Sequence, residues 1–218
     1  MTQLMNDFLE LLFPTKCVFC HKLTGSPRRT VCEKCIKALP YTPDAAQEQK
    51  LAHIAACYSP LYYEGNVRQS LHRFKFSGAS FYDVLYGELI YECIEKNAPE
   101  FDVVTWVPVS RKRLRQRGYD QAKLLAAQIS KHTGKPCEAL LDKRVHNKAQ
   151  SLTGSAEKRK ANVRGVYSAR NAESIKGKRI LILDDIVTTG ATLSEAAGVL
   201  RRAGAEKVYA AALARKRE

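Results

Sequence analysis

The sequence predicts an α/β domain built on a parallel sheet, with a small four-cysteine module ahead of it. Three observations predict this. Apolar runs of strand length alternate with stretches of helical period from residue 53 to residue 218, the pattern of strands joined by crossover helices. One of those runs, Ile180 to Leu183, is apolar at every position, as a central parallel strand covered on both faces must be. Near the other end, Cys17, Cys20, Cys32 and Cys35 are spaced Cys-x2-Cys-x11-Cys-x2-Cys.

Residues 1–40 form the first unit. Leu4, Phe8 and Leu11 or Leu12 share one stripe of a short helix over residues 2–13, which Pro14 ends. Asp7 and Glu10 flank that stripe, so the helix is expected to pack on protein rather than on a membrane. The cysteine spacing is near that of zinc ribbons and knuckles, and four thiolates leave Zn²⁺ no open position, so the expected ion is structural. A redox dithiol fits less well, because neither pair precedes a thioredoxin-like helix. Cys57, Cys93 and Cys137 have no spacing partner and read as packing residues. Pro40, Pro43 and the polar run to Lys50 mark residues 41–52 as a linker.

The third unit, residues 53–218, follows in order. A strand is predicted over 54–62, a helix from Val67 to Phe74 leading into Lys75-Phe76-Ser77-Gly78, and a helix from Phe81 to Lys96. Asp102 to Val107 is a strand halted by Pro108. Gln121 to Thr133 is a helix closed by Gly134. After an irregular basic stretch come the 180–183 strand and a helix from Ala191 to Ala203 that turns Leu193, Ala197 and Leu200 inward, with Gly204 just past its end. A last strand runs from Lys207 to Leu213.

At 218 residues the chain can bury one sizeable core and an appendage, and 45% hydrophobic with 27% charged residues is ordinary for a globular protein. The formal net charge of +14, from 36 Lys+Arg against 22 Asp+Glu, is not ordinary. It predicts polyanionic company: pyrophosphate, nucleic acid or an anionic membrane face. No stretch approaches the roughly 20 apolar residues of a bilayer span, and the N-terminus lacks the basic region of a signal peptide, so the expected location is cytoplasmic.

The chemistry concentrates where strands end. In a parallel sheet, ligands bind at the carboxyl ends of the strands. There the Ile180–Leu183 run meets Asp184 and Asp185, then Thr188, Thr189, Gly190, Ala191 and Thr192 at the start of the next helix. Hydroxyls, unencumbered N–H groups and a helix start suit a phosphate, whereas acceptor-only carboxylates suit hydroxyls such as a ribose diol. Together they imply a sugar phosphate. At the second strand end, Pro108-Val109-Ser110 is followed by Arg111, Lys112, Arg113, Arg115 and Arg117, a loop and basic run able to cradle pyrophosphate. Residues 144–167 are basic, polar and without period, and a loop that long suggests a mobile hood carrying Gln150, Arg159 and Asn162.

The run of four apolar residues, two acids and Thr-Gly-x-Thr resembles the phosphoribosyl pyrophosphate (PRPP) motif of type I phosphoribosyltransferases. Together with the cysteine pairs, Lys75-Phe76 before Gly78, Pro108-Val109-Ser110, Arg117-Gly118-Tyr119-Asp120-Gln121, Gln150-x-x-Leu and Arg159-x-x-Asn162, the chain resembles the ComF family along nearly its whole length. The resemblance implies a type I phosphoribosyltransferase-like sheet with an attached zinc-binding module. PRPP would bind with Mg²⁺ through Asp184, Asp185, residues 188–192, Val109, Ser110, Arg111 and Lys75. For competence members it also implies DNA uptake at the cytoplasmic side of the membrane, with single-stranded DNA, a DNA-translocating ATPase and a recombination loader as partners.

Two departures matter. Tyr119-Asp120 stands where the family often has Phe-Asn, and a carboxylate cannot donate to pyrophosphate oxygens, so Asp120 is placed outside the expected site. Thr188 stands where hypoxanthine-guanine transferases carry an Asp that serves the base, which disfavours a purine acceptor like theirs. Two activities stay open: a PRPP- or nucleotide-binding accessory factor in DNA uptake, and a working phosphoribosyltransferase with an unidentified acceptor.

Overall fold

The structure is a computed structural model that describes residues 14–24, 26, 29–43, 48–144 and 165–217. The predicted helix over 2–13 and the hood residues Gln150, Arg159 and Asn162 lie outside them.

In chain order the described elements are α1 (Glu33–Ala38), β1 (Glu48–Leu51), β2 (Ile54–Tyr58), β3 (Leu61–Tyr62), α2 (Gly65–Phe76), a 3₁₀ turn (Ser80–Tyr82) and α3 (Asp83–Asn97). They continue with β4 (Val103–Trp106), α4 (Arg111–Arg117), α5 (Gln121–Thr133), β5 (Leu141–Lys143), β6 (Tyr167–Ala169), β7 (Arg179–Val187), α6 (Ala191–Arg202) and β8 (Lys207–Arg215). Six strands form one mixed sheet in the order β1-β2-β8-β7-β4, with β3 also on β8. All of its neighbours are parallel except β1 on β2. β5 and β6 make a separate antiparallel pair.

The apolar run in β7 explains its central place. Alternate residues point to opposite faces of a strand. Leu181 and Leu183 join the buried cluster of Phe74, Tyr86, Leu125 and Ile129, on the side of α2, α3 and α5. Ile180 and Ile182 join Leu193, Ala197 and Leu200 on the side of α6. The helix ends are chemically marked as expected. Asp120 caps α5 by accepting from the Lys123 N–H, and Gly134 closes it in the left-handed region at φ 68°.

Four stretches differ from the sequence expectation. The strand predicted over 180–183 runs on through both acids to Val187, because β8 is nine residues long and pairs with it as far as Val187↔Arg215. Residues 41–52, expected as a linker, contain β1, and Tyr41 bridges to Leu61. The basic run after Ser110 is itself a helix, α4, capped by the Ser110 side chain. β5 and β6 had no forecast, since three-residue strands are too short to display a period.

The cysteine module packs directly on the sheet domain. Cys17, Val18, Phe19 and Cys35 belong to the same buried cluster as Phe74 and Tyr86. Ser70 Oγ donates to the Val18 carbonyl at 2.5 Å, and Arg73 Nη2 donates to the Val18 and Phe19 carbonyls at 2.8 and 2.6 Å. Among the described residues no helix is long and apolar enough to cross a membrane.

Candidate functional site

β4 stops opposite Leu183, where the Val107 N–H donates to the Leu183 carbonyl, while β7 continues beside β8. The edge of β7 that carries Asp184 and Asp185 is therefore open on the β4 side. The strand alternation sends the two carboxylates to opposite faces. Asp185 turns to the α2 side and meets Lys75 Nζ at 2.9 Å, with both side chains largely buried. Asp184 turns to the other face and accepts the Asp185 N–H at 2.8 Å. Burial, and next the charge of Asp185, pushes the Asp184 carboxyl up to about 7, against the opposing pull of Lys75.

Lys75 sits in the last turn of α2, and the segment Arg117 to Gln121 fixes that turn. A helix end leaves carbonyls without intrahelical donors. Here the Phe74 carbonyl accepts Tyr119 Oη at 2.5 Å and Gln121 Nε2 at 3.4 Å. Arg117 donates to Gln121 Oε1 at 2.9 Å and lies over the Phe76 ring, 4.8 Å from its centre. Burial draws the Arg117 guanidinium down, against the pull of Asp185. Arg117, Tyr119 and Gln121 thus position Lys75 against Asp185.

The loop Val109-Ser110-Arg111 borders the same crevice. Ser110 is 5% exposed and accepts the Arg113 N–H, and Arg111 opens α4 with its side chain exposed. The Val109 N–H, expected to be available to pyrophosphate, instead donates to Asp120 Oδ2 at 3.0 Å. Asp120, placed outside the expected site by the sequence reading, is thus hydrogen-bonded to the loop that borders the crevice. Burial raises its carboxyl, opposed by the Val109 and Lys123 N–H groups, and Asp185 adds to the rise.

On the far side of β7, Thr188, Thr189, Gly190, Ala191 and Thr192 form the turn into α6. Gly190 takes φ 68°, and a side chain there would lie 2.2 Å from Leu51 Cδ2. Glycine is favoured because the backbone is left-handed, while the conflict with Leu51 falls on the tip of a movable side chain. The Ala191 N–H reaches Thr189 Oγ1 at 3.4 Å.

Two further residues in this region escaped the sequence reading. Lys143 ends β5 and Tyr167 begins β6, and Lys143 Nζ donates to Tyr167 Oη at 3.3 Å. Burial and then Arg113 depress the Lys143 ammonium, while Asp184 and Asp120 pull the other way, so Lys143 is within electrostatic reach of both acids. Burial, and next Asp184, raises the Tyr167 phenol. Outward from Lys143 opens a cleft of about 810 Å³ lined by Ser110, Arg111, Lys112, Arg144 and Arg170, with Asp142 as its one acid. These bases come from α4 and from the residues just after β5 and β6, so only the fold joins them into one cleft.

The four module cysteines converge. Their sulfurs all lie within 4.8 Å of one another, and Cys20 Sγ is 3.7 Å from Cys32 Sγ. A tetrahedral ion with ~2.3 Å metal–sulfur bonds needs sulfur–sulfur edges of about 3.8 Å, so the donor set fits a metal such as zinc. The Cys32 N–H donates to Cys17 Sγ at 3.4 Å, and Asn66 Nδ2 to Cys35 Sγ at 3.6 Å. Burial would push the Cys17 thiol up, but the N–H groups of Cys20, Cys32 and Phe19 outweigh it and bring it to about 7, whereas burial raises the Cys20 and Cys35 thiols.

A family model described as a phosphoribosyl transferase domain matches residues 115–218. The chain is 27% identical to Competence protein F of Haemophilus influenzae, over 93% of this chain and 98% of that protein. It is 29% identical to Competence protein ComFC of Bacillus subtilis, over 65% of this chain and 56% of that protein. Among solved structures, the glutamine phosphoribosylpyrophosphate amidotransferase of B. subtilis, complexed with ADP and GMP, is 28% identical with a TM-score of 0.42, over 59% of this chain and 26% of that one. The chain thus spans nearly all of the first relative, little over half of the second, and about a quarter of the solved chain.

Proposed function

We propose, given that this chain belongs to the ComF family of phosphoribosyltransferase-fold proteins, that it binds PRPP or a related sugar phosphate together with Mg²⁺ and serves DNA uptake as an accessory factor that contacts single-stranded DNA. One observation carries the ligand reading. At the end of β7, an acid pair, one member of which holds the Lys75 ammonium, is followed directly in the chain by the Thr188–Thr192 turn, and these are the groups a ribose diol, a pyrophosphate and a 5′-phosphate require. Asp184 and Asp185 take the diol, Thr188, Thr189, Gly190, Ala191 and Thr192 the 5′-phosphate, and Lys75, Ser110 and Arg111 the pyrophosphate. Mg²⁺ would neutralise part of the pyrophosphate charge. Gln150, Arg159 and Asn162 are proposed to close over the ligand.

The test is a denaturation titration with PRPP and Mg²⁺. Stability is expected to rise by about 2.7 kcal/mol at a hundredfold excess over the dissociation constant, and a free nucleobase is expected to do nothing. Asp184→Asn with Asp185→Asn should abolish the rise; an undiminished rise in the double variant refutes the assignment.

The DNA reading is supported by the basic cleft of Ser110, Arg111, Lys112, Arg144 and Arg170, which lies beside the proposed sugar-phosphate site and suits a phosphate backbone. The zinc ion, held by Cys17, Cys20, Cys32 and Cys35, has a structural role in this proposal, and the protein works in the cytoplasm. Lys143 favours a second reading, in which the chain is a working transferase. A further cation near departing pyrophosphate is what such a reaction uses when the ribose C1–oxygen bond breaks and an acceptor takes its place. Release of pyrophosphate from PRPP on adding an acceptor would decide for that reading.

A further inference from the structure

Asp120 does three things at once. It caps α5 through the Lys123 N–H at 3.3 Å, it accepts the Val109 N–H at 3.0 Å, and it brings a third carboxylate into the electrostatic field of Asp184 and Asp185. A cap needs only the first of these. The second removes a backbone donor from the loop that faces the pyrophosphate position. The third places negative charge where a polyphosphate must come, opposed there by Lys75, Arg117 and Lys143.

We propose that Asp120 decides which anions this site accepts: with its carboxylate on the Val109 N–H and beside the acid pair, the pyrophosphate position takes a diphosphate only when a divalent cation has neutralised part of its charge. The inference rests on the sugar-phosphate reading of the site. Its ligand class is narrower, namely metal-bound diphosphates in preference to free ones. A free diphosphate meets a further carboxylate and an occupied amide. A magnesium-bound one presents less net charge to repel and approaches at a smaller penalty.

The experiment is calorimetric titration of the full-length, zinc-loaded protein with inorganic pyrophosphate, with and without saturating Mg²⁺. The variants are Asp120→Asn and Asp120→Ser. Asparagine caps a helix as well as aspartate does and its amide oxygen still reaches Val109, so only the charge is removed. Serine also caps, but is too short to hold the Val109 N–H, and it carries the test if the first variant does not fold. Removing one charge from a half-buried site is expected to tighten metal-free pyrophosphate about tenfold or more in both variants, with a much smaller change for the magnesium form. A purely structural Asp120 would instead weaken both forms together. Metal-free affinity equal to or below that of the unmodified protein overturns the inference while leaving the sugar-phosphate reading standing. Absence of pyrophosphate and PRPP binding in all three proteins with Mg²⁺ overturns both.

Discussion

Adjacent carboxylates on a strand cannot share one environment, and Asp184 and Asp185 show the consequence. Asp185 is paired with Lys75, whereas Asp184 lies on the opposite face, where burial pushes its carboxyl from 3.8 up to about 7. A raised carboxyl means that the folded state binds the proton more tightly than the unfolded chain. Between about pH 4 and pH 7 the folded state therefore holds more protons, and the stability this provides is full at the low end and lost as pH rises through about 7. Asp184→Asn is expected to escape that loss, so its stability relative to the unmodified protein should grow between about pH 4 and pH 7 and level off above. Urea unfolding of both proteins across that range checks it; a pH-independent difference would mean that Asp184 ionises as an ordinary carboxylate.

Among elements, α2 links the two ends of the molecule. Its Ser70 and Arg73 bond the Val18 and Phe19 carbonyls of the cysteine module, and its last turn carries Lys75 to Asp185. Structural metal contributes folding free energy where it binds. Cys32→Ser is expected to release the ion, loosen the module and, through α2, also weaken the stabilisation by PRPP; metal analysis and ligand-dependent unfolding measure the two effects separately. The hairpin of β1 and β2 has a comparable relation to the Thr188–Thr192 turn, because Leu51 lies against Gly190. Gly190→Ala should cost roughly 1–2 kcal/mol from the left-handed backbone alone, with a further loss from the conflict with Leu51. Adding Leu51→Ala should restore only that second part, as urea unfolding of the single and double variants would reveal.

Across the whole molecule the net charge of +14 is not spread evenly. Arg111, Lys112, Arg144 and Arg170 line one cleft against a single acid, Asp142. Arg117 belongs to the same run of sequence but is spent internally on Gln121 and Phe76. Replacing Arg117 would therefore disturb the Lys75 turn as well as the surface charge. Lys112→Ala, Arg144→Ala and Arg170→Ala combined are the cleaner test of DNA binding. If these residues neutralise single-strand phosphates, the slope of log affinity against log salt should flatten by about 0.7 for each phosphate that the triple variant leaves unneutralised, with little change in sequence preference. An unchanged slope in filter-binding titrations would direct the charge to the small ligand alone.

Much of this arrangement was written locally. The strand of four apolar residues, the acid pair, the Thr188–Thr192 turn, the Gly134 stop and the cysteine spacing are short-range patterns, and each depends on propensity or ligand chemistry that neighbouring residues supply. The convergence of the four sulfurs follows from the same spacing. Other features depended on contacts between distant segments, to which short-range periodicity is blind. The length of β8 carried β7 past its acids, pairing partners drew β1 out of an apparent linker, and Asp120 reached back to Val109 across α4. Lys143 and Tyr167 came to the acid pair on strands of three residues, too short to announce themselves. Residue chemistry is local and legible in order along the chain, whereas the electrostatic environment of a carboxylate is the sum of groups that only packing brings within a few ångström.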